Sequence, residues 1–101
     1  MKIMMMKNNG KIIQSIMDAI DEINERYPEE KRLSKSVDTV LTGESGKLDS
    51  LGLVSFVVSV EERIQNDLGI NIDLADEIGK IDGALRTPET LAEHIANALQ
   101  S

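Results

Sequence analysis

Three segments of this chain carry apolar residues in steps of three and four, the spacing that places side chains on one face of a helix. Only 2% of the residues are aromatic, so the core must be built mainly from aliphatic side chains. Such a core suits packed helices, and 101 residues are enough for one domain. The three stripes are Ile13, Ile16, Ile20, Ile23 and Tyr27; Val57, Val60 and Ile64; and Leu91, Ile95 and Leu99.

The first helix is predicted over residues 11–27 and ends before Pro28, because the residue before a proline is steered out of helical geometry. Residues 1–9 are predicted to be a flexible tail, and residues 10–101 to be the folded domain. The polar segment that follows the helix is predicted as an irregular loop or single turn. The residues expected to pin it to the core are Leu33, Val37, Val40 and Leu41.

The second helix is predicted to begin at Asp49 or Ser50 and to end near Asp67, with Gly69 as its C-terminal stop. Its many valines also fit a strand. The helix is preferred because the three-and-four spacing continues to Ile64 and no partner strand is evident elsewhere. A short third helix is predicted near residues 74–78.

The last helix has the clearest boundary, because Thr87 can cap it and Pro88 suits the first helical position. Asp73 is a plausible cap for the short third helix. The segment from Gly79 to Arg86 is predicted as a loop or an extra turn. The predicted fold is therefore all-α, a small four-helix bundle with three main helices, a short third helix and a long first loop.

The net charge limits the classes of molecule that the chain is expected to bind. Eighteen acidic and 11 basic side chains give a net charge of −7, which disfavours nucleic acid and anionic lipid and favours basic protein surfaces. The chain has no cysteine, so any thiol chemistry would have to be attached. No apolar run approaches the ~20 residues of a membrane span. We expect a soluble, cytoplasmic monomer without membrane insertion.

Enzymatic sites are not indicated. The motif "GESGKL" at 43–48 lacks the spacing and the metal-binding hydroxyl of a nucleotide-binding loop. A serine hydrolase needs a base, and the only histidine, His94, is predicted as an exposed residue of the last helix. Neither Ser45 nor Ser50 lies in a nucleophile elbow. The acidic residues Asp73, Asp76, Glu77 and Asp82 lack the order of a calcium loop and are predicted to face solvent.

The stretch "KLDSLGLVSF" has two interpretations. Asp49 or Ser50 could cap the second helix by accepting hydrogen bonds from its unpaired amides. The same amides and the helix dipole make the position a favourable seat for a phosphate group. A hydroxyl here could therefore carry a phosphodiester.

The segment "LDSLGLVSFVVSVEERI", residues 48–64, resembles the acyl carrier protein signature, in which a D-S-L triplet opens the second helix. The similarity extends over about residues 11–99 through the helix order, the long first loop, "GINID" and "TPETLAEHI". The resemblance implies the acyl carrier protein type of four-helix bundle. It also implies a non-catalytic carrier protein.

The resemblance implies that Ser50 accepts 4'-phosphopantetheine, transferred from coenzyme A by a magnesium-dependent phosphopantetheinyl transferase. Asp49 and Leu51 would belong to the surface that the transferase reads. The thiol of the arm would hold acyl groups as thioesters and present them to loading enzymes and to acyltransferases or synthases with basic docking patches. The partner-binding residues implied are Glu61, Glu62, Val54 and Val58, and those of an acyl pocket are Val57, Val60, Ile72, Ile78, Leu91 and Ile95.

Departures from the family pattern bear on the pathway. Gly52 and Ser55 stand where general fatty acid carriers often have acidic residues, the segment 79–86 looks longer than usual, and the N-terminal tail is additional. These differences favour a specialised carrier in fatty acid, envelope lipid or secondary metabolite synthesis. A peptidyl or aminoacyl carrier and an unmodified helical interaction domain remain as alternatives.

Overall fold

The computed structural model describes residues 2–42, 48–80 and 83–100, with side chains between residues 10 and 99 of those ranges. These residues form three α-helices and no strand. The helices are α1 (Lys2–Asn24), α2 (Ser50–Leu68) and α3 (Pro88–Gln100), and single 3₁₀ turns lie at Glu29–Lys31, Ala75–Glu77 and Ala84–Arg86. The all-α prediction and the small helical bundle are confirmed, whereas the strand alternative for α2 is wrong.

Helix α1 begins at Lys2, well before the predicted start at Lys11. The backbone of residues 2–9, assigned to a tail from the sequence, is therefore helical. Nothing in this segment stops a helix, because methionine and lysine are good helix formers and an exposed glycine at position 10 is tolerated at a modest cost. The helix ends at Asn24, earlier than predicted, and Tyr27 lies in the turn that follows.

Helices α1 and α2 pack antiparallel. Just past the middle of α1, the buried Ser15 hydroxyl donates to Asp67 Oδ2 at 2.7 Å, close to the end of α2. Farther along, the Arg63 side chain donates from Nε and Nη2 to Glu22 Oε2, at 3.2 and 2.9 Å. Helix α1 packs against both α2 and α3, so it is the central element of the bundle.

The core is aliphatic, as the composition predicts, apart from Phe56, which is fully buried. Helix α1 contributes Ile12, Ile16, Ala19, Ile20 and Ile23 to it. The rest of the buried apolar cluster consists of Leu33, Leu41, Val57, Val60, Ile64, Leu74, Leu85, Leu91, Ala92 and Ile95.

The connection between α1 and α2 is held by the chain around it. The Asn24 side-chain amide accepts from the Leu33 backbone amide at 2.8 Å and donates to the Leu33 carbonyl at 2.9 Å. Leu33 and Leu41 are buried, as predicted. Val37 is exposed instead, and its carbonyl accepts from the Glu89 amide at 2.9 Å.

The predicted third helix is a single 3₁₀ turn at Ala75–Glu77. The N-cap is Leu74 and not Asp73 as predicted, although the Asp73 carboxylate still accepts from the Ala75 amide at 3.0 Å. Helix α3 begins as predicted. Thr87 Oγ1 accepts from the Thr90 amide at 3.1 Å, and Thr90 Oγ1 accepts in return from the Thr87 amide at 3.0 Å.

The ion pair between Glu22 and Arg63 predicts a dependence of stability on pH. Hydrogen bonding from the guanidinium of Arg63 holds the pKa of Glu22 below its ordinary value of 4.5, and the same contact raises the pKa of Arg63. The stabilisation is therefore complete above about pH 4.5 and is lost as the pH falls through the lower pKa of the folded state. Both side chains are 39% exposed, so solvent keeps the effect small.

The measurement compares the native chain with Glu22→Gln by urea unfolding at neutral pH and near pH 3. We expect the native chain to be the more stable at neutral pH and the difference to shrink in acid. A difference that stays constant, or grows in acid, would contradict the role given to this pair.

None of the helices in the described parts of the chain combines the length and the apolar character needed to cross a membrane.

Candidate functional site

Helix α2 begins at Ser50, and Asp49 is its N-cap. The Asp49 backbone is extended, and its Oδ1 accepts from the Gly52 amide at 2.7 Å. The Asp49 carbonyl accepts from the Leu53 amide at 2.8 Å, which starts the helical hydrogen bonds. Of the two predicted caps, Asp49 therefore performs the capping. The hydroxyl of Ser50 is not the cap.

Ser50 is exposed, and Leu51 beside it is 77% exposed. The amides of the first helical turn have no carbonyl partner within the helix. The Asp49 carboxylate satisfies the Gly52 amide, which leaves the amides of Ser50 and Leu51 at the positive end of the α2 dipole. The position can favour a phosphate bonded to the Ser50 hydroxyl.

Gly52 is buried, and its lack of a side chain makes room for Tyr27. A Cβ atom built on Gly52 would lie 2.2 Å from the Tyr27 hydroxyl oxygen and 3.0 Å from Asp49 Oδ1. The turn after α1 thus comes against the first turn of α2. The sequence predicted that Gly52 loosens the first turn of α2, and it gave no sign of the contact with Tyr27.

An apolar surface follows Ser50 along α2. Val54 is 44% exposed and Val58 is 46% exposed, although both are large aliphatic residues. Together with Leu51 they recur in steps of three and four, so they share one face of the helix. These are the apolar residues predicted to bind partners, and they are open to solvent.

A groove lies between α1 and α2 on one side of this surface, and we call it the α1–α2 groove. It consists of two cavities, of about 240 and 230 Å³, that have Ile23, Arg26 and Ser55 in common. The cavity at the start of α2 is also lined by Tyr27, Asp49, Leu51 and Gly52, and the one beside it by Glu22, Val54, Val58, Ser59 and Glu62.

Glu61 and Glu62 were predicted to face partners together, but their surroundings differ. Glu62 is exposed. Glu61 is half-buried, and its Oε2 accepts from the Leu74 amide at 2.8 Å, so it anchors the segment that follows α2. This contact spans 13 residues, and helix periodicity alone gives no sign of it.

Removal of each carboxylate tests this difference. We expect Glu61→Ala to lower the free energy of unfolding by about 1–3 kcal/mol, because the Leu74 amide loses its acceptor next to a side chain that is 1% exposed. The matched change Glu62→Ala should stay within about 0.5 kcal/mol of the native chain. Urea unfolding measures both, and equal losses would refute the distinction.

The residues predicted to line an acyl pocket meet in one apolar cluster. Val57, Val60, Leu91 and Ile95 are buried within it. Ile72 and Ile78 are partly buried and pack against it. A cavity of about 260 Å³ opens beside two of these residues, and its lining comprises Ile70, Asn71, Ile72, Asp73, Leu74, His94, Ile95, Ala98 and Leu99.

Of the residues rejected as catalytic or metal-binding, Asp73 and His94 line the same cavity. His94 is half-buried beside this cavity, so the prediction that it is exposed is wrong. Asp73 and Asp76 are exposed as predicted, whereas Glu77 is half-buried and pairs with Lys80 at 2.9 Å. Within the described ranges, no group of three or more potential ligands could hold a metal ion. Asp82 and residues 43–47, including Ser45 and most of "GESGKL", lie outside those ranges.

Comparisons with protein-family models, with curated proteins and with solved structures find no match to this chain. A functional assignment therefore depends on the start of α2 and the surfaces beside it.

Proposed function

We propose that this chain is an acyl carrier protein whose Ser50 holds 4'-phosphopantetheine. The observation that carries the proposal is an exposed serine at the first position of a helix capped by the preceding aspartate, within the triplet Asp-Ser-Leu. The chain itself catalyses nothing in this proposal. It presents acyl groups, bound as thioesters to the thiol of the arm, to biosynthetic enzymes.

Attachment requires a separate phosphopantetheinyl transferase. The Ser50 oxygen forms a bond to the β-phosphorus of coenzyme A, the pyrophosphate bond breaks, and adenosine 3',5'-bisphosphate leaves. The serine proton passes to a base of the transferase, and magnesium offsets the charge of the pyrophosphate. The exposure of Ser50 supports this role, because the hydroxyl must enter the active site of another protein.

After transfer, the start of α2 favours the product. The phosphodiester carries a negative charge, and the positive end of the helix dipole stabilises it by roughly 0.3–1 kcal/mol at an exposed site. Asp49 keeps the helix start ordered through its bond to the Gly52 amide. Leu51, at 77% exposure, is available for contact with the transferase.

Partner enzymes would dock on the exposed face of α2. Val54 and Val58 offer apolar contact, and Glu62 offers a carboxylate to a basic patch. The net charge of −7 favours the approach of basic surfaces. Glu61 is the weaker candidate for docking, because one of its oxygens already accepts from the Leu74 amide.

The cargo would be sheltered near the cavity beside Ile72 and Ile95. The volume of about 260 Å³ falls just below the ~300–1,000 Å³ of common ligand pockets. This size suits a short acyl chain. A longer chain requires Val57, Val60 or Leu91, which are buried in the core, to move apart.

The proposal is tested by incubating the chain with coenzyme A, magnesium and a broad-specificity phosphopantetheinyl transferase, followed by intact-protein mass. We expect the native chain to gain one phosphopantetheine group and Ser50→Ala to gain none. Ser34→Ala, at an exposed site away from α2, is the control, and it should be modified like the native chain. An adduct on another serine, or no adduct, would contradict the proposal.

The same experiment separates the alternatives. An unmodified interaction domain is favoured by the exposed apolar residues Leu51, Val54 and Val58, and it would accept no arm. A peptidyl or aminoacyl carrier would accept the arm but would be loaded by an adenylation enzyme with an amino acid. Loading assays on the modified chain distinguish that carrier from an acyl carrier.

A further inference from the structure

Ser59 has an unusual environment within the α1–α2 groove. It is 8% exposed, and its Oγ has no hydrogen-bond partner among the described residues. The hydroxyl contributes to the lowered pKa of Glu22, after the larger effects of the Arg63 hydrogen bond and burial, yet it makes no hydrogen bond of ordinary geometry. A buried hydroxyl without a partner is unfavourable, so this one is available to a ligand in the groove.

Ser55 lies one helical turn before Ser59 and also lines the groove. Residues at this spacing have Cβ atoms about 5–6 Å apart. The groove therefore presents two hydroxyls in a row, flanked by the half-exposed side chains of Val54 and Val58. An occupant with two polar groups joined by short alkyl segments would match this lining.

We propose that, in the unloaded carrier, the 4'-phosphopantetheine arm on Ser50 lies in the α1–α2 groove, with its two amides against the hydroxyls of Ser55 and Ser59. This inference rests on the function proposed above. The arm has the required chemistry, because a short alkyl spacer separates its amides and two methyl groups lie near its phosphate end. Those methyl groups would contact Leu51 and Val54.

The lengths agree. At 1.5 Å per residue, Ser55 and Ser59 lie about 7.5 and 13.5 Å along the α2 axis from Ser50. The arm has the backbone length of a little over four extended residues, about 15 Å at ~3.3–3.6 Å per residue. Its first amide reaches the level of Ser55, its second approaches Ser59, and its thiol ends about 15 Å along the axis, between the levels of Ser59 and Glu62.

The cavity beside α3 is a poorer fit for the unloaded arm. It is lined by residues 70–74 and 94–99, with no residue of α2. The backbone amide of Leu74, one of its lining residues, donates a hydrogen bond to Glu61. At 1.5 Å per residue, Glu61 lies about 16 Å along the α2 axis from Ser50. The arm would reach only the edge of that cavity, whereas the α1–α2 groove begins beside Ser50.

Amide chemical shifts of the isotope-labelled chain before and after modification test the inference. We expect shifts at Ile23, Ser55, Val58 and Ser59, and nuclear Overhauser effects between the arm amides and the Val58 methyl groups. The second readout is alkylation of the thiol. If the groove holds the arm about 90% of the time, alkylation should be about tenfold slower than for free pantetheine.

Two variants connect these readouts to the groove. Ser59→Val fills the groove, and Ser59→Ala removes only the hydroxyl. Both should raise the alkylation rate toward that of free pantetheine, whereas Ser34→Val, at an exposed site outside the groove, should not. Circular dichroism verifies that the variants are folded. The chemical-shift mapping uses the native chain, so it tests the inference even where a variant does not fold.

These experiments distinguish failure of the proposed function from failure of this inference alone. If Ser50 accepts no arm, the proposed function and this inference both fall. If it is modified but the shifts are confined to residues 49–52, or appear at 70–74 and 94–99, the inference alone is overturned. Alkylation as fast as that of free pantetheine would overturn it as well.

Discussion

Phe56→Ala is expected to lower the free energy of unfolding by about 3–5 kcal/mol. Phe56 is the only phenylalanine in the chain, and it is fully buried between helices that otherwise contribute aliphatic side chains. Truncation removes apolar contacts and leaves a cavity that this small core can only partly close. Because domains of this size are stable by only about 5–15 kcal/mol, the variant should be close to unfolding.

Val58→Ala is the control for this prediction. Val58 lies two residues farther along α2 but is 46% exposed. Its truncation should change stability by no more than about 0.5 kcal/mol. Urea unfolding at neutral pH measures both variants. Similar losses for the two would mean that the buried and exposed faces of α2 are not those described.

Gly52→Ala is expected to destabilise the chain by about 1–3 kcal/mol, although alanine normally favours a helix. A helix gains up to about 1 kcal/mol from this replacement in its interior. Here the new Cβ would lie 2.2 Å from the Tyr27 hydroxyl oxygen, so the tyrosine must move. Overpacking should therefore outweigh the helix preference.

A double-mutant cycle isolates the contact. In Tyr27→Phe the hydroxyl is absent, and Gly52→Ala should be much less destabilising, with a coupling energy of about 0.5–3 kcal/mol. Gly10→Ala is the matched control, because nothing lies within 4 Å of a Cβ built there. It should stabilise α1 by up to about 1 kcal/mol. Additive effects of Gly52→Ala and Tyr27→Phe would rule out the close approach.

The helix boundaries that were predicted correctly from the sequence are set by residues within a few positions of the boundary. Helix α3 begins where Thr87 and Pro88 predict, and α2 is closed by Gly69 in the left-handed conformation, with φ of 69°. Capping and stopping depend on side chains within a few positions, so one short stretch contains the whole signal. The cap of α2, predicted at Asp49 or Ser50, is likewise a local feature of the sequence, and it is Asp49.

The features missed depend on residues far apart in the chain. Tyr27 and Gly52 meet across the long first connection, and the Glu61 carboxylate anchors the amide of Leu74. Spacing along one helix reports which face a residue occupies, but not which backbone amide from another segment comes within reach. The same reason applies to Ser59, whose burial follows from packing against α1.

In the candidate site, too, some features could be predicted from adjacent residues and others could not. The position of Ser50 at the start of α2 follows from the triplet Asp-Ser-Leu and the apolar run after it. The residues expected to shelter cargo join one cluster because any bundle must bury them. Their use as a pocket, and of Glu62 as a docking residue, stays a prediction, since burial and exposure alone serve a carrier and an unmodified bundle equally well.

The most direct test is the mass of the Ser50-containing peptide from protein isolated from the cells that make it. We expect a peptide that carries phosphopantetheine on Ser50, with or without an acyl group on the thiol, and that releases the arm on fragmentation. A peptide that is consistently unmodified at Ser50, in protein that is otherwise intact, would rule out the proposed carrier function.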